Sequence, residues 1–419
     1  MIATAGRRRR PGDGRRVARG VVLGAVVLIG LSGPLFVTSL LVGAQPARVG
    51  PAEAARVAGG AAVGGAVAAG TAVPGGATTL VQLAPVTTDR DDERVAQLLR
   101  RADEEVDRRA HHGQVTVVSF GADGPRIGRF EMTVGQDGVR FARDNGDEVG
   151  RVADQAFWRS SSRLLRVGGV EPLPLQLDRL RQKYAARVLD RTRLDTGPAE
   201  VIALHERGTG VAREILYLDV DSGLVVRRET FDRAGAPVRT VAYTRLDVIE
   251  ATPEQPVLRM PSGVGLETTD HEHVVVAADP LRAQGFTVPP TLPGGYELMV
   301  AVPVPEANVP TLHLLYGDGL YTLSVFQQQG RLRPAARDGA AQMTTAAGGA
   351  VWRWPGSEPR RVVWVGADST YTALADAPLD ELVEALAGLP VDPPPSILDR
   401  LGRGLARLIG TFPIPWSST

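Results

Sequence analysis

Seven arginines, Arg7 to Arg10, Arg15, Arg16 and Arg19, stand against one acid, Asp13, and run directly into an apolar stretch from Gly20 to Ala44. Clustered arginines resist translocation, so the first residues are expected to stay in the cytoplasm and the chain beyond Ala44 to face outward. The folding part must then be an exported one, which argues against cytosolic enzymes and nucleic-acid binders. Val21 to Val42 is long enough, at about 1.5 Å of rise per residue, to span a hydrocarbon core of about 30 Å. Ser32-Gly33-Pro34 interrupts the run and leaves a first apolar segment of signal-peptide length, and Val42-Gly43-Ala44 offers small residues to a signal peptidase. The sequence therefore allows a membrane-anchored protein with its bulk outside, or a secreted one if the signal is cut.

Composition fits that placement. With no cysteine there is no disulfide framework, no thiolate zinc site and no lipid-anchor cysteine. Lys183 is the single lysine in a chain rich in Arg, Ala, Gly and Val, a coding bias rather than a function. A net charge of zero leaves no electrostatic footprint for nucleic acid.

The chain divides by composition into residues 1–19, a basic tail; 20–44, a transmembrane signal anchor or signal peptide; and 45–88, an Ala/Gly/Pro-rich linker. A folded domain follows at 89–252, then a Pro-broken connector at 253–285 and a second domain at 286–390. Residues 391–419 form a Pro-rich turn and a last amphipathic stretch. In the first domain Val95, Leu98, Leu99, Ala102 and Val106 recur at helical spacing, with acids ahead of them. Period-two runs follow at 115–120, 130–134 and 139–141, and again at 201–206, 214–220, 224–231 and 238–248. Leu177, Leu180, Tyr184 and Val188 predict a helix over 175–189 between these groups. In the second domain, 311–316 and 320–326 flank the turn Gly317-Asp318-Gly319, and more strands precede a helix over 378–387. At the end, Ser396 and Asp399 make a capping box, and Ile397, Leu401, Leu405, Leu408 and Phe412 share one face. That face can lie on a membrane or dock on protein.

No constellation argues for an enzyme. Nucleophile elbow, zinc-protease helix, P-loop and dinucleotide fingerprint are all missing from the sequence. His271-Glu272-His273 gives two imidazoles without a third ligand, and Asp219-Val-Asp221-Ser-Gly223 reads as a hairpin turn rather than a calcium loop. No cofactor or metal is expected. The better lead is apolar: a curved antiparallel sheet covered by helices can enclose a pocket. Its candidate lining is Val115, Val117, Phe130, Met132, Phe141, Trp158, Leu216 and Leu218, which can equally be plain core.

The runs Gly113-Gln-Val-Thr-Val-Val-Ser-Phe120, Leu216-Tyr-Leu-Asp-Val-Asp-Ser-Gly-Leu-Val-Val-Arg-Arg-Glu229 and Leu314-Leu-Tyr-Gly-Asp-Gly-Leu-Tyr-Thr-Leu-Ser-Val-Phe326, with the strand pair over 231–248 and the helix after a late strand pair, occur in a telling order. In this the chain resembles the RseB/MucB family of sigma-E factor regulatory proteins, over Asp89 to Leu389. The resemblance implies an α+β fold: a LolA/LolB-like, half-open antiparallel barrel with plugging helices, followed by a smaller α+β domain. It also implies a negative regulator of envelope-stress signalling that binds the extracytoplasmic part of a membrane-spanning anti-sigma factor and responds to a lipidic ligand. The alternative is a membrane-anchored carrier of lipid or lipoprotein acyl chains. No individual ligand contact is carried across.

Overall fold

The computed structural model describes residues 47–48, 89–249, 258, 266–267 and 278–392, with short gaps at 122–123, 136–137, 145, 153–154, 161–162, 168–175, 250–257, 304–308, 331, 333–336, 346–347 and 356–359. The basic tail, the apolar N-terminal stretch, His271 to His273 and the C-terminal amphipathic stretch lie outside the described residues. Among the described residues no helix is long and apolar enough to cross a membrane.

The stretch expected to be linker contributes one short strand, β1 (Ala47–Arg48), which pairs with the large sheet, and the first domain itself opens with α1 (Asp89–Arg108). The helix forms where the sequence expects it: acids crowd its first turn, Arg108 closes it, and Val95, Leu98, Leu99 and Ala102 are all buried on one side. Six strands follow, β2 (His111–Ser119), β3 (Arg126–Gly135), β4 (Gly138–Ala142), β5 (Glu148–Val152), β6 (Gln155–Ser160) and β7 (Arg163–Val167). The short helix α2 (Leu177–Lys183) leads into β8 (Tyr184–Leu194), β9 (Gly197–Glu206), β10 (Ala212–Asp219), β11 (Val225–Phe231) and β12 (Pro237–Val248). With β13 (Leu266–Glu267) these make one sheet in the order β13-β7-β6-β5-β4-β3-β2-β12-β11-β10-β9-β8, with β1 added beside β3. All pairings are antiparallel except β13 with β7, and the path keeps two free ends, so the sheet is an unclosed one.

The expected helix over 175–189 is only half right. It stops at Lys183, and Tyr184 begins a strand that pairs with β9 from Tyr184 opposite Glu206 to Leu194 opposite Gly197. Tyr184 and Val188 fit a helical stripe, but Tyr184, Ala186 and Val188 fit a period of two equally well. The long ladder with β9 decides between them.

The stretch expected to be connector holds the short helix α3 (Ala278–Ala283), and the second domain contains β14 (Thr291–Leu292), β15 (Tyr296–Pro303), β16 (Thr311–Gly317), β17 (Thr322–Gln329), β18 (Ala341–Thr344), β19 (Ala350–Arg353), β20 (Arg360–Gly366), β21 (Ser369–Ala375) and α4 (Leu379–Leu386). Its sheet runs β14-β15-β16-β17-β21-β20-β19-β18, antiparallel throughout. Pro378 caps α4, where its missing N–H costs nothing, and Asp380 and Glu381 fill the first turn. The architecture is thus α+β, with a large curved antiparallel sheet and a smaller sheet-and-helix domain. One continuous apolar core joins them: Val95, Leu98 and Leu99 of α1, Leu216 and Leu218 of β10, Tyr316 and Leu323 of the second sheet, and Leu382 and Leu386 of α4 all belong to it.

Candidate functional site

Strand register puts the candidate lining residues on one face of the large sheet. Val115 lies opposite Phe130, and Met132, two residues on, opposite Phe141. Phe141 lies opposite Val149 and Val149 opposite Trp158. In the other direction Val117 faces Val241, Val241 faces Arg228, and Arg228 faces Leu216, with Leu218 two residues further. Directly opposed residues share a face, as do residues two apart, so the eight positions form one row across the sheet.

Packing splits that row. Val115, Val117, Phe130, Met132 and Phe141 are buried in one cluster with Val134, Val139 and Val149, against which Val106 of α1 rests. Leu216 and Leu218 belong instead to the core that α1 shares with the second domain. Trp158 holds its place in β6; its side chain lies outside the described set. The helix therefore crosses the face obliquely, roofing the β8–β10 side with Val95, Leu98, Leu99 and Ala102 and touching the β2–β5 side with Val106. An open cleft of about 470 Å³ lies elsewhere, lined by Arg100, Gln176, Leu177, Asp178, Arg179 and Arg181. Its three guanidiniums are engaged: Arg100 and Arg181 with Glu93 at 3.1 and 2.9 Å, and Arg179 with Glu297 at 2.7 Å.

The described histidines, His111, His112, His205 and His313, have structural partners. His111 bonds the Tyr243 hydroxyl at 3.0 Å, and burial pushes its imidazole below the usual range. His112 reaches Thr133 Oγ1 at 3.1 Å, and His205 the Gly210 carbonyl at 3.2 Å. His313 is stacked on Phe326 with centroids 4.3 Å apart and sits 3.1 Å from Ser324 Oγ. Among the described residues no group of three or more His, Asp or Glu could hold a metal ion. Asp219 uses Oδ1 to accept from the Ser222 N–H and hydroxyl, both at 2.7 Å, which makes its turn a hairpin device.

Among the described residues, a cluster of charges that sequence reasoning missed lies at the contact between the domains. Lys183, at the end of α2, donates to Asp318 Oδ2 at 2.6 Å and to Glu381 Oε2 at 3.0 Å. The Tyr184 hydroxyl donates to the same Asp318 oxygen at 2.8 Å, while Asp318 Oδ1 holds its own turn through the N–H groups of Leu320 and Tyr321. Arg213 of β10 reaches Glu381 Oε1 at 3.0 Å, with both side chains fully buried. Arg233, in the turn after β11, pairs with Glu384, lies 3.6 Å from Glu381 and takes Asp380 Oδ2 on its own N–H at 3.0 Å. Arg239 of β12 donates to the Asp376 carbonyl at 3.1 Å. Within the first domain Arg228 grips Glu214 through two bonds of 2.8 and 3.0 Å.

Burial pushes the carboxyls of Glu381 and Asp376 above the usual carboxylate range; for Glu381 that outweighs Lys183 and Arg213, and for Asp376 it outweighs Arg228 and Arg239. Burial alone would lower the Lys183 ammonium, but Asp318 and Glu381 outweigh it and hold it raised. Two signals in the sequence could have marked this place: the single lysine, and Asp318 in a glycine-flanked turn. Gly319 has φ +91, and a Cβ there would lie 2.3 Å from the backbone nitrogen of Leu180 in α2. Only glycine lets that turn dock on α2.

No protein-family model matches the chain, and no curated protein matches it. Among solved structures the chain is similar to the MucA/MucB complex of Pseudomonas aeruginosa, at 19% identity over 72% of this chain and 100% of that chain, with a TM-score of 0.44. It is likewise similar to MucB crystallised without a stated partner, at 17% identity over 72% of this chain and 98% of that one, TM-score 0.41. A LolA superfamily protein from Nitrosomonas europaea matches at 11% identity over 38% of this chain and 95% of that one, TM-score 0.20.

Proposed function

We propose that this chain is an extracytoplasmic negative regulator that holds the extracytoplasmic part of a membrane-spanning anti-sigma factor, with residues 20–44 keeping it at the membrane. The observation that carries the reading is the second domain, docked on the first through a common core and a set of interdomain ion pairs. A carrier of acyl chains needs only a curved sheet and its covering helix. A two-domain body of fixed register instead offers a composite surface to a protein partner. The apolar face of the large sheet supports the finer part of the proposal, that a lipidic ligand occupies it and changes the grip on the partner. Such a ligand can act only by its difference in affinity for the two states.

The test is affinity purification of the tagged full-length protein from its own membranes, with identification of stoichiometric partners. A single-pass anti-sigma factor is the expected partner. Its reproducible absence, with lipoproteins recovered instead, would overturn the regulator in favour of a membrane-anchored carrier. The full chain is needed, because Leu216 and Leu218 share a core with second-domain residues that deletion would remove.

A further inference from the structure

We propose that the contact between the domains is a releasable ionic clasp closed by Lys183, so that the domains part locally while both sheets stay folded. This goes beyond the regulator reading and holds whatever the partner is.

The charges are segregated by domain. Lys183, Arg213, Arg233 and Arg239 come from the first; Asp318, Asp380, Glu381 and Glu384, with the Asp376 carbonyl, come from the second. Bringing such ions together removes their water, and this desolvation offsets much of the attraction. On parting, each ion regains water, which offsets part of the cost of opening. The apolar core that the domains share has no such compensation, and its exposure opposes any wider parting.

The closed contact also leaves polar demand unmet. Asp376 Oδ2, Arg213 Nε and the Tyr296 hydroxyl are buried without a hydrogen-bond partner among the described residues. Water would satisfy each of them on opening, which lowers the cost of the open state. The aromatic part of the contact is tyrosine: Tyr184 and Tyr321 meet edge to face at 6.5 Å, and Lys183 lies 5.1 Å from the Tyr184 ring centroid and 5.4 Å from that of Tyr296. Tyrosine tolerates an interface that is dry in one state and wet in another.

Lys183 itself points the same way. An ammonium is a compact and strongly hydrated charge, whereas a guanidinium is weakly hydrated and holds its partners through a planar fork. In a chain that otherwise uses arginine, the one lysine sits where two carboxylates of the other domain converge.

A single lysine makes the test direct. Full-length protein is pulsed with an amine-acetylating reagent at increasing denaturant, below the unfolding transition followed by far-UV circular dichroism, and the Lys183 peptide is read by mass. Its side chain is 15% exposed, so modification should require opening. The expected result is that Lys183 reacts through an opening whose denaturant dependence is well under that of global unfolding, and severalfold faster at 1 M than at 0.05 M salt, as salt screens the charges that the open state exposes. Lys183 reacting only with the global denaturant dependence would overturn the proposal. So would an opening indifferent to salt, or reaction in native buffer at the rate of a free amine.

Discussion

Replacing Glu381 with glutamine keeps the shape of the side chain and removes the charge on which three cations converge. Glu381 is fully buried, and Arg213, which is also fully buried, has its short ion pair there at 3.0 Å, its next carboxylate being Asp380 at 3.8 Å. Lys183 would retain Asp318 at 2.6 Å, and Arg233, more exposed, would retain Glu384. The main loss is therefore the counter-charge of one buried guanidinium, which alone would cost about 3–5 kcal/mol, but glutamine also relieves the burial of the carboxylate charge, so the net loss should lie below that range. Lys183→Met leaves the buried Asp318 carboxylate with neutral donors, while Glu381 keeps Arg213, and should cost about 3–5 kcal/mol. The two losses share the Lys183–Glu381 contact, so the double variant should fall short of their sum by about 0.5–3 kcal/mol. Chemical denaturation of the four proteins in one buffer, with circular dichroism and tryptophan fluorescence compared for coincidence, measures the cycle. If Glu381→Gln unfolds at the wild-type midpoint, or if the pair is additive, the clasp is not organised around Glu381.

Gly319→Ala meets both a left-handed φ and the Leu180 backbone, so it should lower the melting temperature far more than Gly330→Ala. At Gly330, φ is +106 with open space around it, and only conformational strain of about 1 kcal/mol applies; equal shifts would deny the close approach of the two domains. The Lys183 ammonium is raised in the folded protein, so its contribution to stability is fully present below about 10.5 and is lost as pH rises through the folded value. Stability of the wild type should fall more steeply than that of Lys183→Met above pH 10, measured as denaturation midpoints. For Glu381 the raised carboxyl has the opposite consequence: the folded state binds its proton more tightly, so its contribution weakens as pH rises from about 4.5 through the raised value. That limb should vanish in Glu381→Gln. Leu99→Ala, at 1% exposure beneath the middle of α1, should cost about 2–5 kcal/mol by equilibrium denaturation, and a cost below about 1 would mean that α1 does not roof the sheet.

The local elements could be read because their signals are local. The stripe Val95, Leu98, Leu99, Ala102 and Val106 needs nothing beyond 3.6-residue periodicity, and Pro378 with Asp380 marks the start of α4 unaided. The runs that became β2, β3, β10, β11 and β12 alternate strongly enough to declare themselves. The strands β5 to β7 do not, since Glu148-Val-Gly-Arg-Val and Arg163-Leu-Leu-Arg-Val are short and need their neighbours. The clasp was hidden for a different reason. Lys183 and Glu381 lie 198 residues apart, and each has an innocent local reading, one as a cation ending a helix and the other as an acid opening one. Only the docking of the domains reveals that the same charges serve two purposes.

That docking also bears on where an apolar ligand could sit. The second domain closes over the β8–β10 side of the large sheet, where Leu216 and Leu218 are locked into the common core. The cluster of Val115, Val117, Phe130, Met132 and Phe141 contains no second-domain residue, and the helix reaches it with Val106 near its C-terminal end. A ligand entering there would have to displace the last turns of α1 and not the clasp. Since α1 is one continuous helix of 20 residues, lifting Val106 would also disturb Val95, Leu98 and Leu99 above the shared core. The helix thus gives the two halves of one sheet face a mechanical connection. Widening the contact with Val106→Phe should loosen the β2–β5 side, and Lys183 acetylation would then report whether the disturbance reaches the domain contact. An unchanged rate, in a variant whose α1 is shown to have moved, would mean that the two halves of the face act independently.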